Sequence, residues 1–513
     1  MARINGILFH PTSFPGRYGI GDLGKWAYDF VDWLVNADQS LWQVLPLGPT
    51  SYGDSPYQSP CAFAGNPNLI SFDKLLERGY LLESDLSDLP AFPKYLVDFG
   101  WVTEYHQNKL RVAYQRFVER GQENEQADFT AYCESNQTWL DDYALFMSIK
   151  DANGGVTWTR WDNLDLVRYQ ADAVAQATIT YAADIAYYKF CQWVFNDQWL
   201  ALKSYANENG IEMMGDLPIF VAHDSSDVWG NQHLFYLEED GNPTVVAGVP
   251  PDYFSESGQR WGNPLYRWDV MEQDGYEWWK HRFESVLKFV DRVRVDHFRG
   301  FEAYWEIPAT EPTAIIGEWV KGPGAKFFDV MHAKLGKLPI VAEDLGVITP
   351  EVEALRKHAA FPGMQVLQFA FDGNNCGSNT FLPHHHPVDT VVYTGTHDNN
   401  TAYGWWHSDE VNDGIRQCVA EYSGHSIDYL NHNIHAVLMR LAMSSVAETC
   451  VIPLQDVLGY GKITRFNVPG VLGGNWTWRI GEDVLRGNAH HLLSRLTALY
   501  SRGRSSAVER VIY

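Results

Sequence analysis

Nowhere in the 513 residues do 18 apolar side chains run without interruption, so the sequence offers no membrane-spanning helix. Cysteine is scarce. The six present, Cys61, Cys133, Cys191, Cys376, Cys418 and Cys450, show no C-x-x-C spacing, which argues against a disulfide frame or zinc site and for reduced thiols. Cations are outnumbered, 39 Lys and Arg against 64 Asp and Glu, giving a net charge of -25. No Lys/Arg cluster reverses that balance locally, which sets aside nucleic acid and anionic membrane surfaces as partners. No G-x-G-x-x-G follows the first apolar run, so the dinucleotide fingerprint is missing. Repeats, low-complexity tracts and flexible linkers are absent too. The N-terminal M-A-R-I-N-G-I-L-F-H has too short an apolar run for a signal peptide. A soluble, cytoplasmic protein is the expectation.

What the chain has in abundance is aromatic side chains, 14% of the total with 20 Trp and 27 Tyr. Their flat apolar faces and polar edges suit sugar rings, but cores and protein interfaces use the same property. Eight apolar runs read as strands: Ile7 to His10, Leu41 to Leu47, Ile211 to Phe220, Arg292 to Phe298, Pro339 to Asp344, Met364 to Phe371, Thr390 to Thr396 and Thr449 to Leu454. Helical patterns separate most of them. Trp26, Phe30, Trp33, Leu34 and Ala37 recur at helical spacing over Gly24 to Asn36. Glu351 to His358 follows Thr349 as N-cap, with Pro350 in the first turn.

Eight alternating units predict an α/β chain folded as a (β/α)8 TIM barrel. Large, mainly helical inserted subdomains are expected after strands 2 and 3, at about 48–209 and 221–268. The first reads as helical from about Asp73 to Asn209, and the second as irregular from Val221 to Trp268. One barrel domain would then span 1–502, followed by a polar tail over 503–513. A doubly wound open sheet is the competing architecture.

In a barrel the C-terminal ends of all strands face one side, so residues distant in sequence converge there. Those ends carry Asp216, Arg294, Asp296, Glu343, His397 and Asp398. In V-R-V-D-H-F-R-G, from Val293 to Gly300, period 2 puts Arg294 and Asp296 on one face. The guanidinium would favour an ionised carboxylate, able to serve as nucleophile or charge stabiliser. Singly, each has an ordinary reading: a structural ion pair for Arg294 and Asp296, a turn for Asp216 and Asp398, a helix cap for Glu343. Jointly, they place four acids and a histidine at one mouth. Glycoside chemistry needs one ionised carboxylate and one protonated carboxylic acid, and Glu343 would need a raised pKa to be the latter. A metal site built on His384, His385 and His386 with Asp398 and Asp216 is the rival. Consecutive histidines alternate direction, however, and no H-x-H follows the first strand. No metal and no cofactor are expected.

The motifs H-P-T-S-F-P-G, W-Q-V-L-P-L-G-P-T, Y-G-D-S-P-Y-Q-S, G-D-L-P-I-F-V, W-G-N-P-L-Y, R-V-D-H-F-R-G, A-E-D-L-G and T-G-T-H-D-N occur in this order. Together they resemble glycoside hydrolase family 77, the 4-α-glucanotransferases, also called amylomaltases or disproportionating enzymes. The resemblance runs from about Gly6 to Arg502. It implies a retaining transferase acting on α-1,4-glucan and maltooligosaccharide donors and acceptors, in a short bacterial form without extra N-terminal domains. By motif, Asp296 corresponds to the nucleophile, Glu343 to the general acid/base and Asp398 to the transition-state stabiliser. Arg294 and His397 match residues that contact the reacting sugar or orient the nucleophile. Asp216 matches the acid of the third-strand motif, Tyr57 an aromatic near the reacting sugar, and Trp261 a wall of the acceptor side. Tyr253 and Phe254 match a loop overhanging the cleft, and Tyr52 a secondary glucan contact. Asn400 departs from the pattern, standing where an acid is expected. A monomer or weak homo-oligomer is expected. An α-amylase-like hydrolase and a non-catalytic glucan-binding protein are the alternative functions.

Overall fold

The computed structural model describes residues 3–251, 255–373 and 377–504. Eight strands form its centre: β1 (Ile4–Leu8), β2 (Leu41–Gln43), β3 (Glu212–Pro218), β4 (Arg292–Asp296), β5 (Ile340–Ala342), β6 (Gly363–Val366), β7 (Thr390–Tyr393) and β8 (Thr449–Pro453). They lie in the order β6-β7-β8-β1-β2-β3-β4-β5, every pair parallel. The ring closes between β5 and β6, where the Ala342 N–H donates to the Pro362 carbonyl at 2.9 Å. This is the (β/α)8 barrel. Strands covered on both faces should be apolar throughout, and β2, β7 and β8 are buried at every position. Gly6 is required where β1 meets β2, because a Cβ there would stand 2.6 Å from both the Cβ and the carbonyl oxygen of Leu41.

Six helices matter for the argument: α1 (Lys25–Asn36), α2 (Phe99–Arg120), α3 (Glu123–Ala152), α4 (Ala182–Glu208), α5 (Glu277–Phe289) and α6 (Pro350–His358). α1 buries Ala27, Phe30, Val31, Trp33 and Leu34, the one-sided stripe of a helix packed on a sheet. α2, α3 and α4 lie between β2 and β3 and pack through aromatic rings, with Phe117 of α2 about Phe190 (5.1 Å) and Trp193 (5.2 Å) of α4. Much of the aromatic surplus is therefore core. Trp42, Trp158, Trp199, Trp229, Trp279 and Trp406 are fully buried, and Trp199 Nε1 ties α4 to α5 by donating to the Phe289 carbonyl at 2.8 Å.

One sequence reading is corrected between β3 and β5. The stretch from Val221 to Trp268, read as irregular, contains two strands, Val245–Val249 and Gln259–Pro264. They join Ala303–Pro308 and Glu318–Lys321 in a four-stranded antiparallel side sheet. The pattern was hidden for two reasons. Gly248, Gly262 and Pro264 interrupt the alternation, with a register shift at Val246/Gly248, and half of the pairing comes from a hairpin beyond β4. A small core of Val246, Ile307 and Ala314, with Trp305 and Ala309 packed on it, holds this sheet together.

The chain stays packed to the end of the described residues. Arg502 is buried and donates to the carbonyls of Met443, Ser445 and Ala447, and Arg504 donates to those of Val35 and Asn209. Cys61, Cys191 and Cys450 are buried free thiols and Cys133 is a half-buried one. Cys418 is disulfide-bonded, which corrects the reading of six reduced thiols. Among the described residues no helix is long and apolar enough to cross a membrane.

Candidate active site

β3, β4 and β5 deliver the first half of the site. Asp216 and Arg294 are register partners across β3 and β4, and both are buried. Arg294 Nη1 donates to Asp216 Oδ1 (2.8 Å) and Oδ2 (2.7 Å), while its Nη2 lies 2.9 Å from Asp296 Oδ1. One guanidinium thus spans two carboxylates. Asp216 also accepts from the Tyr57 hydroxyl at 2.8 Å. A buried Arg is tolerable only when its charge is matched, and Asp216 supplies that match, leaving Asp296 the side chain open to the cleft at 29% exposure.

After Asp296 the chain turns through His297 in the left-handed region, φ 52°. This aims the His297 N–H at Glu343 Oε2 (2.8 Å), while Leu345 N donates to Glu343 Oε1 (3.0 Å). Burial pushes the Glu343 carboxyl up to about 7, with the negative charge of Asp296 adding and Arg294 and the two amides opposing. Burial raises Asp296 as well, with Asp216 and Asp398 adding to it and Arg294 working against it. Arg294 favours the ionised Asp296, as expected from R-V-D, but it does so against burial and two neighbouring acids. The guanidinium touches Asp296 and not Glu343, so it favours the negative charge on Asp296 over one on Glu343.

The second half comes from the ends of β7 and β8. His397 is buried, its Nε2 3.3 Å from Asp398 Oδ2. Asn467 Nδ2 donates to Asp398 Oδ1 at 2.6 Å, and Arg465 donates to the Asp398 carbonyl. Burial alone would raise Asp398, but the His397 contact and the Asn467 hydrogen bond carry it below the ordinary carboxylate range. Asp398 in turn raises His397 against its burial. The Tyr57 ring stacks on His397 at 5.1 Å and 18°, and Trp476 leans on both at 5.9 Å. Burial holds His10, in the loop after β1, down at about 3, with His397 adding to the effect, so it stands neutral beside this cluster.

Asp216, Arg294, Asp296 and Tyr57 are thus joined by direct contacts, Tyr57 stacks on His397, which meets Asp398, and Glu343 is tied to the group through the backbone N–H of His297, the residue after Asp296. Trp261 sits at the edge of the group, its ring 4.8 Å from His297. Tyr52 is 70% exposed on the loop after β2. Tyr253 and Phe254 lie outside the described residues. Asn400 is buried with its side-chain oxygen unpaired, and its carbonyl accepts from Gln368 Nε2 at 2.7 Å. His386 is spent on Ser445 and Phe381, and His384 on Tyr422. Among the described residues no three His, Cys, Asp or Glu side chains form a group that could hold a metal ion. Sequence reasoning missed Arg465, Asn467 and Trp476. All three lie in the segment that follows β8, beyond the helical turns Leu454–Leu458 and Lys462–Thr464, so the rule that selected the strand ends of β3, β4, β5 and β7 did not reach them.

A closed parallel barrel with four acids gathered at its C-terminal mouth defines a (β/α)8 enzyme whose chemistry rests on carboxylates. The chain belongs to the 4-alpha-glucanotransferase family, glycoside hydrolase family 77, whose profile matches residues 9–483. It is 50% identical over 484 residues to a 4-alpha-glucanotransferase of Thermus thermophilus, covering 94% of this chain and 95% of the relative. With a second, from Synechocystis sp. (strain ATCC 27184 / PCC 6803 / Kazusa), it shares 47% identity over 503 residues and 98% of each chain. In three dimensions it is similar to the amylomaltase of Streptococcus agalactiae solved with acarbose. The TM-score is 0.94 at 38% identity, over 98% of this chain and 100% of that one.

Proposed function

We propose that this chain transfers segments of α-1,4-glucans to the 4-hydroxyl of an acceptor glucose or glucan by a retaining double displacement. One observation carries the reading: two carboxylates on neighbouring strands have contrasting surroundings. Asp296 lies 2.9 Å from a guanidinium, whereas Glu343 is held by two backbone N–H groups and raised to about 7. That is the division of labour a retaining mechanism needs. Glu343 gives its proton to the departing glycosidic oxygen as Asp296 attacks the anomeric carbon and forms a covalent glucosyl ester. Glu343, now ionised, takes the proton of the incoming 4-hydroxyl, which displaces Asp296 and restores the original configuration. Asp398, ionised and partnered by His397, stabilises the positive charge that develops on the sugar ring. Asp216 and Arg294 fix Asp296, and Tyr57 stacks over His397 where the reacting sugar would lie. Trp261 lines the acceptor side, and Tyr52 offers an outlying surface for glucan. Tyr253 and Phe254 belong to a segment that would restrict water.

Maltotriose tests the reading directly. Transfer yields glucose plus a ladder of longer maltooligosaccharides. Glucose and maltose alone would identify a hydrolase, and binding without any product would identify a glucan-binding protein.

A further inference from the structure

Arg299, at the end of the R-V-D-H-F-R-G motif, plays no part in the mechanism above, yet its guanidinium joins three separate segments. It belongs to the turn Phe298–Phe301 that follows β4. Its Nη1 donates to the Val347 carbonyl, in the loop that follows Glu343. Its planar face lies 3.8 Å from the ring centroid of Trp319, on the outer strand of the side sheet. Trp319 is propped edge-on by Trp305 at 5.3 Å, and Trp305 Nε1 is fixed to the Ala314 carbonyl at 3.0 Å.

The loop being held is the one that tunes Glu343. Its start is pinned, because Asp344 Oδ1 accepts from Met364 N at 2.7 Å and Asp344 Oδ2 lies 3.0 Å from Arg356 Nε. Leu345 follows, and its N–H reaches Glu343 Oε1. Gly346 then takes φ +83° and Val347 is 61% exposed, so between Leu345 and Ile348, which pack on the core, the chain at Val347 is held by its carbonyl rather than its side chain. Arg299 is itself buried at 6% exposure. What meets its guanidinium directly is the Val347 and Ala303 carbonyls and a ring, with the Glu302 charge nearby offsetting part of the cost of burial, so the fixed geometry is the feature to explain.

We propose that the side sheet positions Glu343 for proton transfer through Arg299, with Trp319 as the seat of the guanidinium. Arg299 and Trp319 are positioning residues: neither touches the reacting atoms. Lysine cannot replace Arg299, because it lacks the planar face that stacks on the indole, whereas phenylalanine retains a face at position 319.

The proposal rests on Glu343 being the general acid, and the test separates the two ideas by leaving-group chemistry. With maltotriose, the bond from the anomeric carbon to the glycosidic oxygen breaks as Glu343 protonates that oxygen. With α-maltosyl fluoride, fluoride departs with little need of a proton. For each donor, kcat/KM is measured for the full-length enzyme and its variants with glucose as acceptor. Trp319→Ala should lose about tenfold on maltotriose and less than about twofold on the fluoride. Trp319→Phe should restore most of the loss. Arg299→Lys should follow Trp319→Ala, and the two together should cost no more than either alone. Equal losses on both donors, or no loss on maltotriose, would overturn the positioning role. Glu343→Gln is the control. If it too loses equally on both donors, the general-acid assignment fails, and the proposal with it.

Discussion

On the arc of the rim formed by β7 and β8, Asp398 is gripped by a histidine and an asparagine. On the arc formed by β4 and β5, one strand away, Glu343 receives only two backbone N–H groups. The consequence is two acids at one mouth pushed in opposite directions, Asp398 below the ordinary carboxylate range and Glu343 up to about 7. Burial acts the same way on both, so the partners decide. A histidine neighbour with a dedicated amide donor overcomes desolvation, whereas backbone amides beside a second acid do not. Asp296 stands between these cases, with Arg294 on one side and two acids, Asp216 and Asp398, acting against it. The contrast teaches that the role of an acid in this mouth is set by what its neighbours donate, not by depth.

Breaking the contrast at its centre has the largest effect. Asp296→Asn leaves the site without a nucleophile and should lower maltotriose disproportionation by at least about 10^4-fold, with circular dichroism unchanged. Next comes Glu343→Gln, with a loss of about 10^2- to 10^4-fold on sugar leaving groups. In the unaltered enzyme the kcat/KM profile should fall on the alkaline side with an apparent pKa near 7, set by Glu343.

The same substitution changes stability in a predictable sense. The folded pKa of Glu343 lies above the unfolded value, so the native state holds the extra proton between them and stability falls as pH rises from about 4.5 to 7. Glu343→Gln should remove that decline, measured by urea denaturation at pH 5 and pH 8. Asp398 has the opposite sign. Its depressed pKa stabilises the fold above the ordinary carboxylate range, and that contribution is lost as the pH falls through it. Asn467→Ala should weaken this acid-side dependence and reduce kcat about tenfold. The smallest effect belongs to Tyr52→Ala, at a 70% exposed site outside both arcs, with less than about a twofold change on maltotriose and a larger one only on long glucans.

The strands of the barrel and the residues at their ends could be read locally. All eight are short apolar runs; Asp216 and Arg294 lie in the C-terminal parts of β3 and β4, and Asp296, Glu343, His397 and Asp398 fall at or just past the ends of theirs. What could not be read arises from pairing across distance. The side sheet joins Val245–Val249 and Gln259–Pro264 with a hairpin from beyond β4, and no window of the sequence contains both. Charge distribution was hidden for the same reason. R-V-D places Arg294 beside Asp296, but only the fold brings Asp216 onto the same guanidinium and so divides its influence. Asn467 and His397 meet at Asp398 although 70 positions apart, so the strongest anion in the mouth carried no local signal beyond H-D-N.

The account stands most directly on the covalent bond assigned to Asp296. Glu343→Gln should still be glycosylated by α-maltosyl fluoride, because fluoride needs little protonation, but should release the sugar slowly without a base to activate the acceptor. Mass spectrometry of that variant after mixing is expected to show a maltosyl adduct on the peptide containing Asp296, disappearing when azide is added as a nucleophile that needs no base. An adduct on another carboxylate, or turnover of the fluoride with no adduct and with inverted configuration, would contradict it.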